Sequence, residues 1–130
     1  MKIYLAGKIT GEEIKVCWRK FETAAAKIRW ELMCQVVHGI MINRCPVCGC
    51  LKVDSWLSCE ACNYTGIRPD TWENYLKADI TKMLTCDIVY LLPDWQESKG
   101  AQLERDIALR LNMDVRLYSD FIKHHSQKVL

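Results

Sequence analysis

The sequence lacks three features that would assign a chain to a specialised class of protein. Its 18 Lys and Arg residues against 16 Asp and Glu give a formal net charge of only +2, so we expect neither nucleic acid nor an anionic membrane as a partner. It has no run of roughly 18 apolar residues, so we expect no transmembrane helix. The segment Met1–Glu13 has neither the long apolar stretch nor the small-residue cleavage site of a signal peptide. These absences together predict a cytoplasmic protein.

The chain is instead rich in cysteine. Its 130 residues suffice for one domain, 1–130, with a modest hydrophobic core. Eight cysteines in a cytoplasmic protein indicate bound metal or free thiols rather than disulfides. The cysteines that we expect to be simply packed thiols are Cys17, Cys34 and Cys86.

Four other cysteines form two pairs, Cys45-Pro-Val-Cys48 and Cys59-Glu-Ala-Cys62. Two such pairs supply the four thiolates of a tetrahedral Zn²⁺ site. Because four cysteines leave no coordination position open for water, the sequence predicts a structural zinc rather than a catalytic one, held in a zinc ribbon at residues 44–66. The alternative is four unrelated free cysteines.

The rest of the chain alternates short apolar segments with helical patterns. This alternation predicts an α/β fold with a parallel sheet and right-handed crossovers, a flavodoxin/Rossmann-like three-layer sandwich with a short sheet into which the ribbon is inserted. The predicted strands are residues 2–6, 35–43, 88–92 and 114–118.

Three helices are predicted between the strands. Thr10 with Glu13 and Asp70 with Glu73 fit capping boxes at the starts of the first two, and Ser98 fits the N-cap of the third. A short amphipathic helix or tail is expected from residue 119 to 130, with its two histidines in solvent. The apolar stripes expected to face the core are Val16, Phe21, Ala24, Ala25, Ile28 and Leu32 in the first helix and Trp72, Leu76, Ile80, Met83 and Leu84 in the second.

Two loops of this fold have the composition of a ligand site. Ligands of open parallel sheets bind outside the carboxyl ends of the strands, and residues 7–11 and 93–100 follow two of the strands there. The first loop carries two glycines together with Lys8 and Thr10, which suits close approach to a ligand. The second leads into a helix N-terminus at Ser98-Lys99-Gly100, where an anion can bind.

Two carboxylates stand on helix faces that ought to be apolar. Glu104 has Gly100 and Ala101 one turn before it and Ala108 one turn after it, so its neighbours on the helix surface are small or apolar. Asp79 is placed in the same way on the preceding helix. A buried carboxylate is unfavourable unless it has a use. Two readings are open for each: a functional group, or an ion pair with a basic side chain.

Three motifs resemble one family. IYLAGKITG at the N-terminus, W-x-x-Y-L-x-x-D-I from residue 72 and CDIVYLLPDWQESKGAQLE from residue 86 are similar to the nucleoside 2-deoxyribosyltransferase-like superfamily, in particular to a small bacterial and phage branch with LAG-x-x-TG and LLP-x-W-x-x-SKGA-x-x-E. The resemblance covers the chain apart from the ribbon. It implies N-glycosidic bond chemistry on a nucleotide or nucleoside, by a transferase or a hydrolase, and a homo-oligomer.

The resemblance also implies roles for individual residues. Glu104 matches the nucleophile that attacks the anomeric carbon, Asp79 matches an aspartate that binds substrate or handles protons at the leaving base, and Tyr4 matches a tyrosine that orients the nucleophile. The matched ligand-binding positions, taken with the two loops, are Gly7, Lys8, Thr10, Asp94, Trp95, Ser98, Lys99 and Gly100.

Three positions bear on the choice of ligand. Ser98 stands where the transferases have aspartate and the nucleotide N-hydrolases have serine, which suits a phosphate and predicts a nucleoside 5′-monophosphate. Lys8 stands where the transferases usually have proline, and Asp94 replaces the usual glycine of the small branch. The alternatives to an enzyme are a non-catalytic nucleotide-binding protein that senses or sequesters its ligand, and an interaction module in which the zinc ribbon binds nucleic acid or a protein. The ribbon itself is expected either to stabilise the fold or to form a contact between subunits of an oligomer.

Overall fold

The structure, a computed structural model, describes residues 1–39 and 72–126. Its sheet has the order β2-β1-β3-β4, with every neighbouring pair parallel. The α/β fold with a parallel, flavodoxin/Rossmann-like sheet is therefore confirmed. The strands are β1 at Lys2–Ala6, β2 at Gln35–His38, β3 at Ile88–Leu91 and β4 at Asp114–Leu117.

Helices cover both faces of the sheet. One core cluster joins α1 and α4 to the sheet through Phe21 and Phe121, and a second joins α2 and α3 to its other face through Met83 and Ala108. The described residues therefore form the three layers that the sequence predicts. The helices are α1 at Ile14–Leu32, α2 at Trp72–Met83, α3 at Lys99–Arg110 and α4 at Tyr118–Ser126, and a 3-10 turn lies at Trp95–Glu97.

The two central strands are buried on both faces, which is why they are apolar without alternation. In β1, Ile3 and Leu5 point to the α1 side while Tyr4 and Ala6 point to the α2 and α3 side, and all are at most 1% exposed. Tyr4 is thus the polar group that β1 sends towards α2 and α3. This orientation sets up the site.

Several local predictions were wrong at the ends of elements. The capping box of Thr10 and Glu13 does not form: α1 begins at Ile14 with Glu13 as its N-cap and no side-chain capping bond. Three residues of the predicted apolar stripes are exposed: Val16 near the start of α1 by 52%, Trp72 at the start of α2 by 43%, and Leu84 just after the end of α2 by 49%.

Two further differences concern β2 and α4. Strand β2 ends at His38, so Gly39 lies after the strand rather than within it. His125 is buried rather than solvated, because α4 folds back onto α1: its Nδ1 lies 3.3 Å from the Glu31 carboxylate and its ring 4.2 Å from that of Phe121. Cys17 and Cys86 are buried free thiols and Cys34 is half-buried, as expected.

The predicted zinc ribbon at residues 44–66, Asp70 and the end of the second predicted strand at Asn43 lie outside the described residues. The four cysteine ligands and the structural zinc therefore stay predictions. Over the described part of the chain, no helix has the length and apolar character needed to cross a membrane.

Candidate active site

Three polar side chains meet on the face of the sheet that α2 and α3 cover. Tyr4 of β1, Asp79 of α2 and Glu104 of α3 are 1%, 7% and 4% exposed. They come from parts of the chain separated by up to a hundred residues, and each affects the protonation of another. The structure therefore brings together the three residues that the sequence singled out as catalytic.

Glu104 is a buried carboxyl group in an unfavourable environment for its charge. Burial raises its pKa from 4.5 to about 8; the hydrogen-bonding hydroxyl of Tyr4 lowers it, and the negative charge of Asp79 raises it. Its Oε2 atom has no hydrogen-bond partner among the residues that the structure describes. Within residues 1–39 and 72–126 no Lys or Arg forms an ion pair with it, so the alternative of a simple buried salt bridge is not what this part of the chain shows.

Asp79 has a similar environment. Burial raises the pKa of Asp79 from 3.8 to about 7, and the charge of Lys82 lowers it. The two groups do not come within ion-pair distance, and within the described part of the chain Asp79 Oδ1 has no hydrogen-bond partner. Lys82 therefore affects the pKa of the Asp79 carboxyl group only as a distant charge.

Gly39 makes room for Asp79. A Cβ atom at position 39 would lie 2.7 Å from Asp79 Oδ2 and 2.8 Å from Ile9 Cδ1, closer than real Cβ atoms approach. Gly39, which falls within the second strand predicted from the sequence, is therefore needed at this position for steric reasons. It lies at the carboxyl end of β2, so β2 also contributes to the site.

A cleft of about 440 Å³ lies at the carboxyl edge of the sheet, and Tyr4, Asp79 and Glu104 are not among the residues that line it. It brings together Lys8 and Thr10 from the first loop with Ser98, Lys99 and Gly100 from the second, as the sequence predicts. Gly100 links the cleft to Glu104, because it lies one turn before it on α3. The residues that line the cleft are Lys8, Thr10, Trp72, Glu97, Ser98, Lys99 and Gly100.

The N-terminus of α3 faces this cleft. Ser98 caps the helix as predicted: its Oγ accepts a hydrogen bond from Ala101 N at 3.1 Å, which leaves the hydroxyl proton free to donate. The first turn contains no acidic residue. Among the described residues, the backbone N–H groups of Lys99 and Gly100 have no acceptor. This wall of the cleft offers hydrogen-bond donors and positive charge, which suits an anion.

The sequence did not predict two of the residues that line the cleft, and three residues that it predicted to bind the ligand do not line the cleft. Trp72 was expected in the core, and Glu97 lies in the 3-10 turn; only the position of both next to a loop could have indicated them. Gly7 is needed for packing, since a Cβ there would lie 2.8 Å from Leu92 Cδ1. Trp95 packs against the core with Arg105 over its ring at 5.1 Å.

Asp94 is the third residue that does not line the cleft. Its Oδ1 accepts a hydrogen bond from the backbone N–H of Lys8 at 3.0 Å, and its Oδ2 accepts one from Lys20 Nζ at 2.5 Å. Positions 8 and 94 are therefore in direct contact. The N–H that proline would lack is the donor to Asp94.

Comparison with known proteins gives one match. A family model described as a domain of unknown function, DUF4406, matches residues 60–117. The matched segment includes Asp79, Ser98 and Glu104, and it excludes Tyr4 and the first loop. No curated protein and no solved structure matches the chain.

Proposed function

We propose that this protein cleaves or transfers the N-glycosidic bond of a nucleotide or nucleoside, with Glu104 as the nucleophile. The observation that supports it best is the group of Glu104, Asp79 and Tyr4: two buried carboxyl groups and a hydroxyl, with Glu104 one helical turn after Gly100 of the cleft lining. Burying two carboxyl groups together destabilises a fold when, as among residues 1–39 and 72–126, no Lys or Arg forms an ion pair with either. Such an arrangement is typical of a site whose groups take part in chemistry.

The chemistry requires one ionised and one protonated carboxyl group. The Glu104 carboxylate forms a bond to the anomeric carbon as the bond to the nucleobase breaks, and Asp79 gives its proton to the departing base nitrogen. Water or a second base then displaces Glu104 and restores the starting state. Tyr4 holds the nucleophilic carboxylate through its hydroxyl.

The pair holds one proton near neutral pH, but the higher pKa of Glu104 places that proton mostly on Glu104, so the reaction proceeds from the minor form in which Asp79 carries the proton. The pKa of Asp79 is raised to about 7 and that of Glu104 to about 8. Because the two groups interact, these pKa values describe the pair rather than either group alone. At pH values between the two pKa values, the pair mainly carries a single proton. We expect a bell-shaped rate profile with its maximum between about pH 7 and about pH 8.

The cleft favours a phosphorylated ligand. Lys8, Lys99 and the free N–H groups of the α3 N-terminus provide positive charge and donors, with Glu97 as the opposing charge. We therefore propose a nucleoside 5′-monophosphate as the ligand. In isothermal titration it should bind more tightly than the matching nucleoside, and equal or weaker binding would rule out this ligand class.

The decisive experiment is incubation of the protein with a panel of ribo- and deoxyribonucleotides, followed by chromatography for free base. Wild type should release base from at least one compound, and Glu104→Ala should release none above background. Glu73→Gln is the matched control, since this exposed carboxylate lies on α2 away from the cleft lining. If wild type turns over nothing in the panel, the enzymatic proposal fails.

A second candidate function rests on the raised pKa of Glu104. A carboxyl group with a pKa of about 8 is mostly protonated at neutral pH, and a protonated carboxyl donates a hydrogen bond rather than attacking carbon. We propose as the alternative a nucleotide-binding protein without catalysis. It predicts that Glu104→Gln, which keeps a donor, binds nucleotide as wild type does, and that wild type forms no product.

A further inference from the structure

Lys8, Lys20 and Asp94 form a closed hydrogen-bonded ring, which we call the loop latch. Lys8 N–H donates to Asp94 Oδ1 at 3.0 Å, and Lys20 Nζ donates to Asp94 Oδ2 at 2.5 Å. Lys20 Nζ also donates to the backbone carbonyl of Lys8 at 2.7 Å. Each member of the ring therefore contacts the other two.

The loop latch joins three separate parts of the chain. Lys8 belongs to the loop after β1, Asp94 to the loop after β3, and Lys20 to α1. Lys20 and Asp94 are 28% and 19% exposed, so water competes with these contacts only in part. Hydrogen bonds to charged groups are stronger than those between neutral groups. The two loops are thus tied to each other and to a helix rather than lying independently.

The loop latch lies behind the two walls of the cleft. Lys8 lines one wall, while Asp94 directly precedes the 3-10 turn at Trp95–Glu97, which carries Glu97 and leads to Ser98 on the other wall. A change in the distance between Lys8 and Asp94 therefore changes the distance between the walls. It also changes where Lys8 stands relative to the α3 N-terminus.

We propose that Asp94 is a positioning residue that fixes the width of the cleft and places Lys8 for anion binding. Both of its carboxylate oxygens already accept hydrogen bonds, so it holds the loops and does not contact the ligand. Lys20 pairs with Asp94 and, at 3.8 Å, with Glu12, so it offsets part of the Asp94 charge and reduces its repulsion of an anion in the cleft. The effect on the ligand rests on the proposed function, whereas the loop latch itself does not.

The test measures the loop latch and the ligand separately in the full chain. Amide hydrogen exchange of Lys8, followed by NMR without ligand, reports the first; isothermal titration with inorganic phosphate and with a nucleoside 5′-monophosphate reports the second. In Asp94→Ala, the Lys8 amide should exchange at least about tenfold faster relative to the amides of β1 and β3, and phosphate affinity should fall about tenfold.

Two further variants make the result specific. Asp94→Asn keeps an acceptor for the Lys8 N–H but loses the ion pair with Lys20, so it should restore most of the Lys8 protection and part of the phosphate affinity. Asp114→Ala is the control: it removes an aspartate from another ion pair, with Arg116 at the edge of the sheet. It should leave both measurements as in wild type.

The outcomes separate the two proposals. An unchanged exchange rate of the Lys8 amide in Asp94→Ala overturns the loop latch. Faster exchange with unchanged phosphate affinity overturns the positioning role. If wild type binds neither phosphate nor the nucleotide, the proposed ligand class fails, and the positioning role for that ligand fails with it, while the exchange data still decide whether the loop latch exists.

Discussion

The buried carboxyl group of Glu104 should destabilise the fold in a way that depends on pH. A carboxyl group whose pKa is higher in the folded than in the unfolded protein binds protons more tightly when folded, so its contribution to stability is complete below the unfolded pKa and is lost as pH rises through the folded pKa. For Glu104 these values are 4.5 and about 8. Stability should therefore be lost across the range between them.

Glu104→Gln removes this dependence, because the amide has nearly the same shape and no charge at any of these pH values. The pKa difference corresponds to about 5 kcal/mol in total. Between about pH 5 and about pH 9 the free energy of unfolding of wild type should fall, relative to the variant, by about 4 kcal/mol. A constant offset from altered hydrogen bonding with Tyr4 does not affect this slope.

Urea unfolding followed by tryptophan fluorescence at several pH values measures the difference between the two proteins. Taking the difference cancels the titration of the shared groups that do not interact with Glu104, whereas Asp79, whose charge acts on Glu104, contributes to the difference. Glu73→Gln, in which the exchanged carboxylate is exposed, should give a flat difference across the same range. If the curve for Glu104→Gln is also flat to within about 1 kcal/mol, Glu104 is not buried as described and the mechanism loses its basis.

Three further predictions follow from single positions. Gly39→Ala should lower the free energy of unfolding by about 1–3 kcal/mol and reduce turnover or nucleotide affinity, because its Cβ would displace the Asp79 carboxylate; full activity at full stability would contradict this account. Ser98→Ala should cost about 1 kcal/mol by urea unfolding through loss of the α3 N-cap, whereas Ser98→Asp should keep the cap and lose phosphate binding. Elemental analysis of the purified protein should find about one zinc ion per chain. The zinc content should be reduced in Cys48→Ala and unchanged in Cys34→Ala, and a wild type without zinc would contradict the predicted zinc site.

The sequence predicted those features that depend on local pattern and strand order. Glu104 could be recognised because its helical neighbours at three and four residues are small or apolar, and a parallel sheet places the two loops on one edge whatever the details of packing. The N-cap at Ser98 needs only a few residues, and it was correct. These features require no knowledge of which helices touch.

The features that were missed depend on contacts between distant segments. Nothing near Asp94 in the sequence indicates that its acceptor oxygen lies against the N–H of Lys8, since the contact joins residues 86 positions apart. Trp72 fits the periodicity of a buried stripe, yet it lies in the first turn of α2 beside a cleft. His125 was expected in solvent because the return of α4 onto Glu31 of α1 cannot be seen in a local pattern.

The contact between positions 8 and 94 has an evolutionary consequence. A proline at position 8 has no N–H to donate, and a glycine at position 94 has no carboxylate to accept, so a chain with that pair lacks the contact without leaving either group unsatisfied. A chain with only one of the two changes leaves either the backbone N–H at position 8 without its acceptor or the carboxylate at position 94 without that donor. We therefore expect the residues at these two positions to change together among related sequences, and a redesign of the cleft should exchange them as a pair.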